Sequence, residues 1–167
     1  MNDNNETVGL GVTFLREDDT IDDEFNEIAQ VAAISPPELE RNIVEVDDLN
    51  PEDQIKKKLP GLVDAGELVV TLNFDVDGEA GHDDLEDDFN DKAEKNYRVQ
   101  FPIDEDEEEG GYFPITGIVT GFAPQEIEAE GVFQVQVTIT VTKKSEFVPV
   151  SELEEVQTSN EGDGMHV

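Results

Sequence analysis

A mainly β domain is expected, with β-sandwich or barrel-forming sheets and one flanking α-helix. Three observations predict it. Leu68, Val70, Leu72 and Phe74 alternate with Glu67, Val69, Thr71, Asn73 and Asp75, the period of two that marks a half-buried strand. Residues 132–142 repeat that pattern, with Phe133, Val135, Val137, Ile139 and Val141 on one face. Only residues 81–95 offer a good helical stripe, in which Leu85, Phe89 and Ala93 fall four apart.

Residues 1–7 form a polar, flexible N-terminal segment, residues 8–144 the domain, and residues 145–167 a C-terminal extension. Residues 8–15 read as a first strand weakened by Gly9 and Gly11, followed by an acidic turn over residues 16–24. Phe25, Ile28, Val31 and Ile34 fit either a short helix or a bulged strand. The pair Pro36-Pro37 ends that element, because proline continues neither structure. Residues 41–49 read as a strand with Val44 and Val46 facing in and Glu45 and Asp47 facing out. Residues 50–66 then form a long connection carrying Asn50-Pro51, Lys56-Lys57-Lys58 and a Pro60-Gly61 loop, with a turn at Ala65-Gly66. Long connections in compact domains often carry contacts to partners.

The helix over residues 81–95 has Asp83 and Asp84 at its start and Lys92 and Lys95 near its end, which suits the helix dipole. The bland alternative is an acidic loop. Strands follow at residues 97–103 and 112–122, the second broken by Pro124, with the solvated acidic turn 104–111 between them. In the final strand the face opposite the apolar one is Gln134, Gln136, Thr138, Thr140 and Thr142. It is polar yet uncharged, although ordinary β-propensity of threonine also accounts for it. After Lys144 the pattern fades. Ser151 and Glu154 could cap one helical turn, and an extended tail is the other reading.

The charge balance excludes whole classes of function. Asp and Glu total 43 against 10 Lys and Arg, a net charge of -33. Gripping nucleic acid or anionic lipid needs clustered cations, and the only run of three is Lys56, Lys57 and Lys58. There is no cysteine, so disulfides and thiolate metal sites are excluded. No apolar run approaches the length of a membrane span. High charge at low hydrophobicity favours disorder, but the patterned strands argue for a folded protein adapted to high salt. Self-repulsion is screened when the Debye length shrinks to ~3 Å at 1 M salt. A halophile, or a virus of one, is the expected source.

No catalytic constellation stands out, and neither enzyme activity nor a cofactor is expected. Asp75-Val76-Asp77-Gly78 resembles the start of a calcium loop, but Gly78 arrives two positions early, and a turn of acids is the simpler reading. His82 beside Asp83 and Asp84 lacks a second histidine nearby and reads as helix-start chemistry. An extracellular calcium-binding β-sandwich remains the alternative from another class.

Several segments together resemble the major tail tube proteins of lambda-like, long-tailed viruses. They are Phe25-x-Glu27-Ile28-Ala29-x-Val31 closing at Pro36, Val44-x-Val46-Asp47, and Lys58-x-Pro60-Gly61-Leu62-x-Asp64-Ala65-Gly66-Glu67-Leu68 running on to Asn73-Phe74-Asp75. Tyr97-x-Val99-x-Phe101, Phe113 with Gly117, Val119 and Gly121-Phe122, and the strand through Val135 and Val141 complete the order. The resemblance implies a tail tube β-sandwich with one helix. It implies homohexameric rings stacked heterologously into a tube in the virion, assembled in the host cytoplasm. Tail terminator and tail tip proteins would be the other partners, and DNA would pass through the lumen without specific binding. It places Asn50, Pro51, Lys56, Lys57, Lys58, Leu59, Pro60, Gly61 and Leu62 at the contact between rings. The uncharged face of Gln134, Gln136, Thr138 and Thr140 is the candidate lumen lining. The tube of a contractile tail shares this fold and is the nearer alternative.

Overall fold

The computed structural model describes residues 11–47, 56–102 and 111–149. Nine strands and one helix occupy them. Strands β1 (Thr13–Glu17), β2 (Phe25–Ile28), β3 (Val31–Ser35), β6 (Glu67–Asn73), β7 (Lys95–Gln100), β8 (Tyr112–Pro124) and β9 (Gln134–Val141) form one antiparallel sheet in the order β2-β1-β7-β8-β9-β6-β3. Strands β4 (Glu40–Val46) and β5 (Lys57–Asp64) form a separate two-stranded ribbon. Helix α1 (His82–Asp91) links β6 to β7.

The seven-stranded sheet is curled on itself. Its edge strands, β2 and β3, are joined by Ala29 and Gln30 alone. Laid flat, six strand spacings of about 4.8 Å would part those edges by roughly 29 Å. Two intervening residues reach at most about 11 Å. The inner faces therefore converge on one core, as expected of sandwich-forming sheets. Gln30 turns the chain there in the left-handed region, at φ 58°. Backbone bonds from Ala29 N–H to Ala80 C=O and from Asn73 N–H to Gln30 C=O hold the seam.

The alternating residues of the sequence fill this core. Leu68, Val70 and Leu72 are fully buried, as are Val137 and Ile139 opposite them, and Val135 and Val141 lie beside them. Each such side chain contributes about 1.5–3 kcal/mol when fully buried. Phe14 stacks on Tyr97 with ring centroids 5.6 Å apart.

Several expectations are corrected. The segment from Phe25 to Ile34 is neither a helix nor one bulged strand, but two strands on opposite edges of the sheet. The first strand begins at Thr13 and runs on through Arg16 and Glu17, so these two residues are not in the acidic turn. Arg16 instead alternates with Phe14 onto the buried face. The helix buries His82, Leu85 and Asp88, and Phe89 is 40% exposed, so the stripe of Leu85, Phe89 and Ala93 is not the packed one. Helix α1 stops at Asp91 with Lys92 at its C-cap, while Lys95 opens β7. Burial follows i, i+3 spacing here because Asp88 finds Arg16 and the Tyr97 hydroxyl below it, and Phe89 does not face the core.

The turn after β6 is closed by Asp75. Its carboxylate accepts the N–H groups of Asp77, Glu79 and Ala80 at 3.0–3.1 Å, an Asx-type turn. His82 is fully buried at the first helical position. Its Nδ1 accepts the Asp75 N–H at 3.1 Å and its Nε2 bonds the Ala29 carbonyl at 2.9 Å, which fixes a neutral ring with the proton on Nε2. Helix start, sheet seam and β6 are thereby tied together. Beyond Lys144, where the sequence pattern fades, Val148 still pairs with Tyr112. Phe147 packs beside Phe101 and Phe113.

Candidate assembly surfaces

The ribbon of β4 and β5 forms an arm. Every residue of β4 is exposed, and on β5 only Gly61 is partly covered. Val44 and Val46, expected to face a core, are 52% and 38% exposed. The alternation of Val44, Glu45 and Val46 is real, but no layer of the described residues lies behind it. The expected loop over residues 50–66 is likewise corrected, since its larger described part is strand. Pro60 is tolerated because both strands of a two-stranded ribbon are edges. A register shift between Arg41 and Ile43 lies opposite Pro60 and Val63. Gly61 fits there since a Cβ would meet the Asn42 carbonyl at 2.9 Å.

Asn50 and Pro51 lie outside the described residues. Lys56, Lys57 and Lys58 are exposed along the arm. Lys56 meets Glu45 of the same arm at 3.6 Å. Such an exposed pair contributes little, about 0–1 kcal/mol. Leu59 is 43% exposed and Leu62 84%. The two strands carry Arg41, Lys57 and Lys58 against Glu40, Glu45 and Asp64, while the whole stretch of residues 40–64 carries seven acids against four cations.

The second predicted surface is the outer face of β9 and its neighbours. Register places Gln136 beside Thr71, Thr138 beside Val69, Thr140 beside Glu67 and Gln134 beside Asn73. Ala33 and Ser35 of β3 extend this face on one side, and Ile118 and Ala123 of β8 on the other. Gln134 donates to Asn73 Oδ1 at 3.0 Å, and the hydroxyls of Thr120 and Thr140 bond at 2.9 Å. Glu67 is the single charge among these residues. The structure thus gathers the four predicted residues onto one face whose single charge is Glu67.

A charged network was not foreseen. Arg16 is 6% exposed and Asp88 fully buried. The Arg16 Nε and Nη2 donate to the two Asp88 oxygens, each at 2.7 Å, a bidentate pair. The Tyr97 hydroxyl donates to Asp88 at 2.8 Å. Outside this core, Asp19 accepts from Arg16 at 3.0 Å and from Lys95 at 3.1 Å. These two donors, Arg16 first, hold the Asp19 carboxyl below its ordinary range. The hydrogen bond to Asp88 pushes the Arg16 guanidinium above its ordinary value. The network pins the middle of α1 to β1 and β7. Its one legible trace is Arg16 two residues after Phe14 in a strand. Arg98, also unforeseen, is stacked on the outer face between Phe25 and Tyr112, 3.8 and 4.3 Å from their ring centroids.

The Tyr97 phenol is raised well above its usual 10.0, first by burial and then by the charge of Asp88. A raised folded-state pKa gives stability that is complete below the unfolded value and is lost as pH rises past it. Stability is therefore expected to fall above about pH 10, by up to ~1.4 kcal/mol per pH unit from this one group. Denaturant midpoints measured between about pH 9 and pH 11 should show this loss in the natural chain. Tyr97→Phe should be less stable at neutral pH and flatter across that range. An equal alkaline slope in both proteins would exclude Tyr97 as its source.

Among the described residues, no group of three or more His, Asp or Glu is placed to hold a metal ion. No helix there is long and apolar enough to cross a membrane.

The family model described as lambda phage tail tube protein matches residues 14–148. No curated protein sequence matches the chain. Among solved structures, a chain of the virion of a native gene transfer agent particle is 14% identical. It superposes with a TM-score of 0.62 over 86% of this chain and 99% of its own. A chain of the extended sheath-tube complex of the PVC extracellular contractile injection system is 12% identical. Its TM-score is 0.66, over 88% of this chain and 94% of its own. The SPP1 tail tube is 14% identical, with a TM-score of 0.63 over 86% and 80%. At these identities the likeness is one of fold.

Proposed function

The chain belongs to the lambda phage tail tube protein family, structural components of the virion, and from that premise we propose how it builds its tube. Homohexameric rings stack head to tail, and the genome passes through their common channel. The observation that carries this reading is the arm. A two-stranded ribbon is marginal in water by itself, and this one leaves Ile43 64% and Leu62 84% exposed. It is built to be covered by another copy. A contact between unlike surfaces propagates as an open filament.

In this reading residues 50–62, including Lys56, Lys57 and Lys58, reach the neighbouring ring, where the lysines meet acids of the next copy. The neutral face of Gln134, Gln136, Thr138 and Thr140 lines the channel. Amide and hydroxyl groups without cations offer phosphates no positive charge to hold them, so DNA slides. The long-tailed type of tail is favoured by the lambda family model. Terminator and tip proteins close the two ends of the tube, and assembly takes place in the host cytoplasm. The acidity belongs to a high-salt setting, a halophilic host, where repulsion between copies is screened. The domain is taken as residues 8–144, with residues 145–167 as an extension.

Negative-stain microscopy of the purified protein tests this. Tubes with a central channel are expected at about 1 M salt and above, where the Debye length is ~3 Å, and fewer or none in dilute buffer. Tubes at both salts would keep the role and remove the halophilic setting. Monomers at every salt and concentration would overturn the tube reading.

A further inference from the structure

Two apolar features stand at opposite ends of β8. Near its start, Phe113 lines an apolar groove of about 110 Å³ together with Phe101, Pro36, Pro37 and Leu39. Leu39 is 50% exposed and Phe113 37%. At its other end, Pro124 leads into the turn 125–133, where Ile127 is 73% exposed and Val132 66%. The strand from Phe113 to Pro124 extends about 36 Å at 3.3 Å per residue. The turn is internally bonded. Gln125 N–H donates to the Gln134 carbonyl at 2.8 Å, and Gly131 N–H to the Glu128 carbonyl at 3.2 Å. Phe133, at its root, packs on Phe74 with ring centroids 5.5 Å apart. The turn is thus an anchored projection that holds two apolar side chains out in water.

We propose that the β8–β9 turn of one copy seats in the Leu39–Phe113 groove of a copy in the next ring, with Ile127 entering the groove and the turn's glutamates meeting Lys143 and Lys144 at its rim. This is a contact between bodies, separate from the arm, and it rests on the tube reading. Three considerations select a second copy as the occupant. Charge is the first. The turn carries Glu126, Glu128 and Glu130 and no cation. The turn after β6, tied to it by the bond from Phe74 N–H to the Phe133 carbonyl, adds Asp75, Asp77 and Glu79. Lys143 and Lys144 immediately precede Ser145, which lines the groove, and their side chains are 69% and 63% exposed. Within the copy they meet Glu94 at 3.3 Å and Glu146 at 3.2 Å, exposed pairs that hold weakly. Size is the second. An apolar cavity of about 150 Å³ takes benzene, so the groove has room for one aliphatic side chain. Placement is the third. Pro36, Leu39 and Ala65 border the groove and flank the arm, so the groove lies where the arm leaves the body. In a head-to-tail stack that end faces the opposite end of the next copy, and the contact repeats without closing on a pair.

The chain has no cysteine, so introduced thiols are its only ones. A chain carrying both Ile127→Cys and Leu39→Cys is assembled and then oxidised. A disulfide needs Cα atoms about 5.5–6 Å apart. The two sites of one copy lie at opposite ends of β8, so a copy does not close on itself. The expected result is a ladder of covalent species on a non-reducing denaturing gel. It should run past the hexamer, appear with tubes and need both cysteines. Val132→Cys with Phe113→Cys is the second pair, for use if the first does not assemble. A ladder that stops at the hexamer would put the contact around the ring and overturn the seat between rings. A dimer from Ile127→Cys alone would mean that turns meet turns and would overturn it too. Tubes without a ladder from either pair would leave the groove to the arm or to residues 150–167, and the proposal would fall. Absence of tubes from the unmodified protein would instead overturn the tube reading, which separates the two failures.

Discussion

Asp88→Ala is expected to destabilise the folded chain by about 3–5 kcal/mol, the usual cost of breaking a buried ion pair from one side. The substitution strands the Arg16 guanidinium, 6% exposed, with Asp19 as its remaining acidic partner. It also strands the buried Tyr97 hydroxyl, which now donates to Asp88 at 2.8 Å. Native domains hold only about 5–15 kcal/mol in total, so the loss takes a large share, and the middle of α1 loses its hold on β1 and β7. Denaturant unfolding followed by circular dichroism reads the change. The double variant Arg16→Met, Asp88→Leu should lose less than Asp88→Ala alone, because no buried charge is left unpaired. If Asp88→Ala unfolds at the denaturant midpoint of the natural chain, the network does not anchor the helix.

Reversing Lys56, Lys57 and Lys58 to glutamate should abolish tube formation while leaving the fold intact. Each reversal subtracts two charges, so the three take the net charge from -33 to -39. The added charge falls on the arm, whose residues 40–64 carry four of the chain's ten cations. All three side chains are exposed. Among the described residues their one ion pair, Lys56 with Glu45, spans 3.6 Å between groups that are 68% and 51% exposed. The unfolding midpoint should therefore hold within the scatter typical of surface substitutions. Assembly is followed by sedimentation and microscopy, at low salt and at about 1 M, where the Debye length is ~3 Å. Tubes from the reversed chain at the salt that suits the natural one would remove the lysines from the contact. Partial recovery at the higher salt is the signature of a screened repulsion.

Much of the fold was legible because burial selects a local pattern. Leu68, Val70 and Leu72, and Val135, Val137 and Ile139, alternate since one side of a strand meets the core. The helix was legible as an element but misread in its facing. Apolar spacing pointed to Phe89, whereas the buried positions are His82, Leu85 and Asp88, two of them polar. A buried acid looks like any other among 43 until its partner is known, and Arg16 lies 72 residues away. The Phe25–Ile34 segment resisted assignment for a related reason. A strand at each edge of a curled sheet, with a two-residue link, has no local signature apart from the residues that end it. Of the candidate surfaces, the residues were legible and their setting was not. The neutral face of β9 stood out by its lack of charge, and the structure added Thr71, Asn73 and Thr120 around it.

What the sequence alone determined, then, is a β-rich domain with one helix, strongly acidic and without cysteine, whose ordered motifs resemble one family. Those properties are local or additive: strand period, composition and net charge are the same in any environment. Tertiary structure decided which faces are covered. Val44 and Val46 have the alternation of core residues, and nothing within residues 40–46 tells that they stand 52% and 38% exposed. Only the folded chain, with its core closed by the curled sheet and pinned through Asp88, leaves that stripe open on an arm. The hydrophobic effect is non-directional. It favours removal of apolar surface from water, and where the described residues supply no layer, a second copy can supply it.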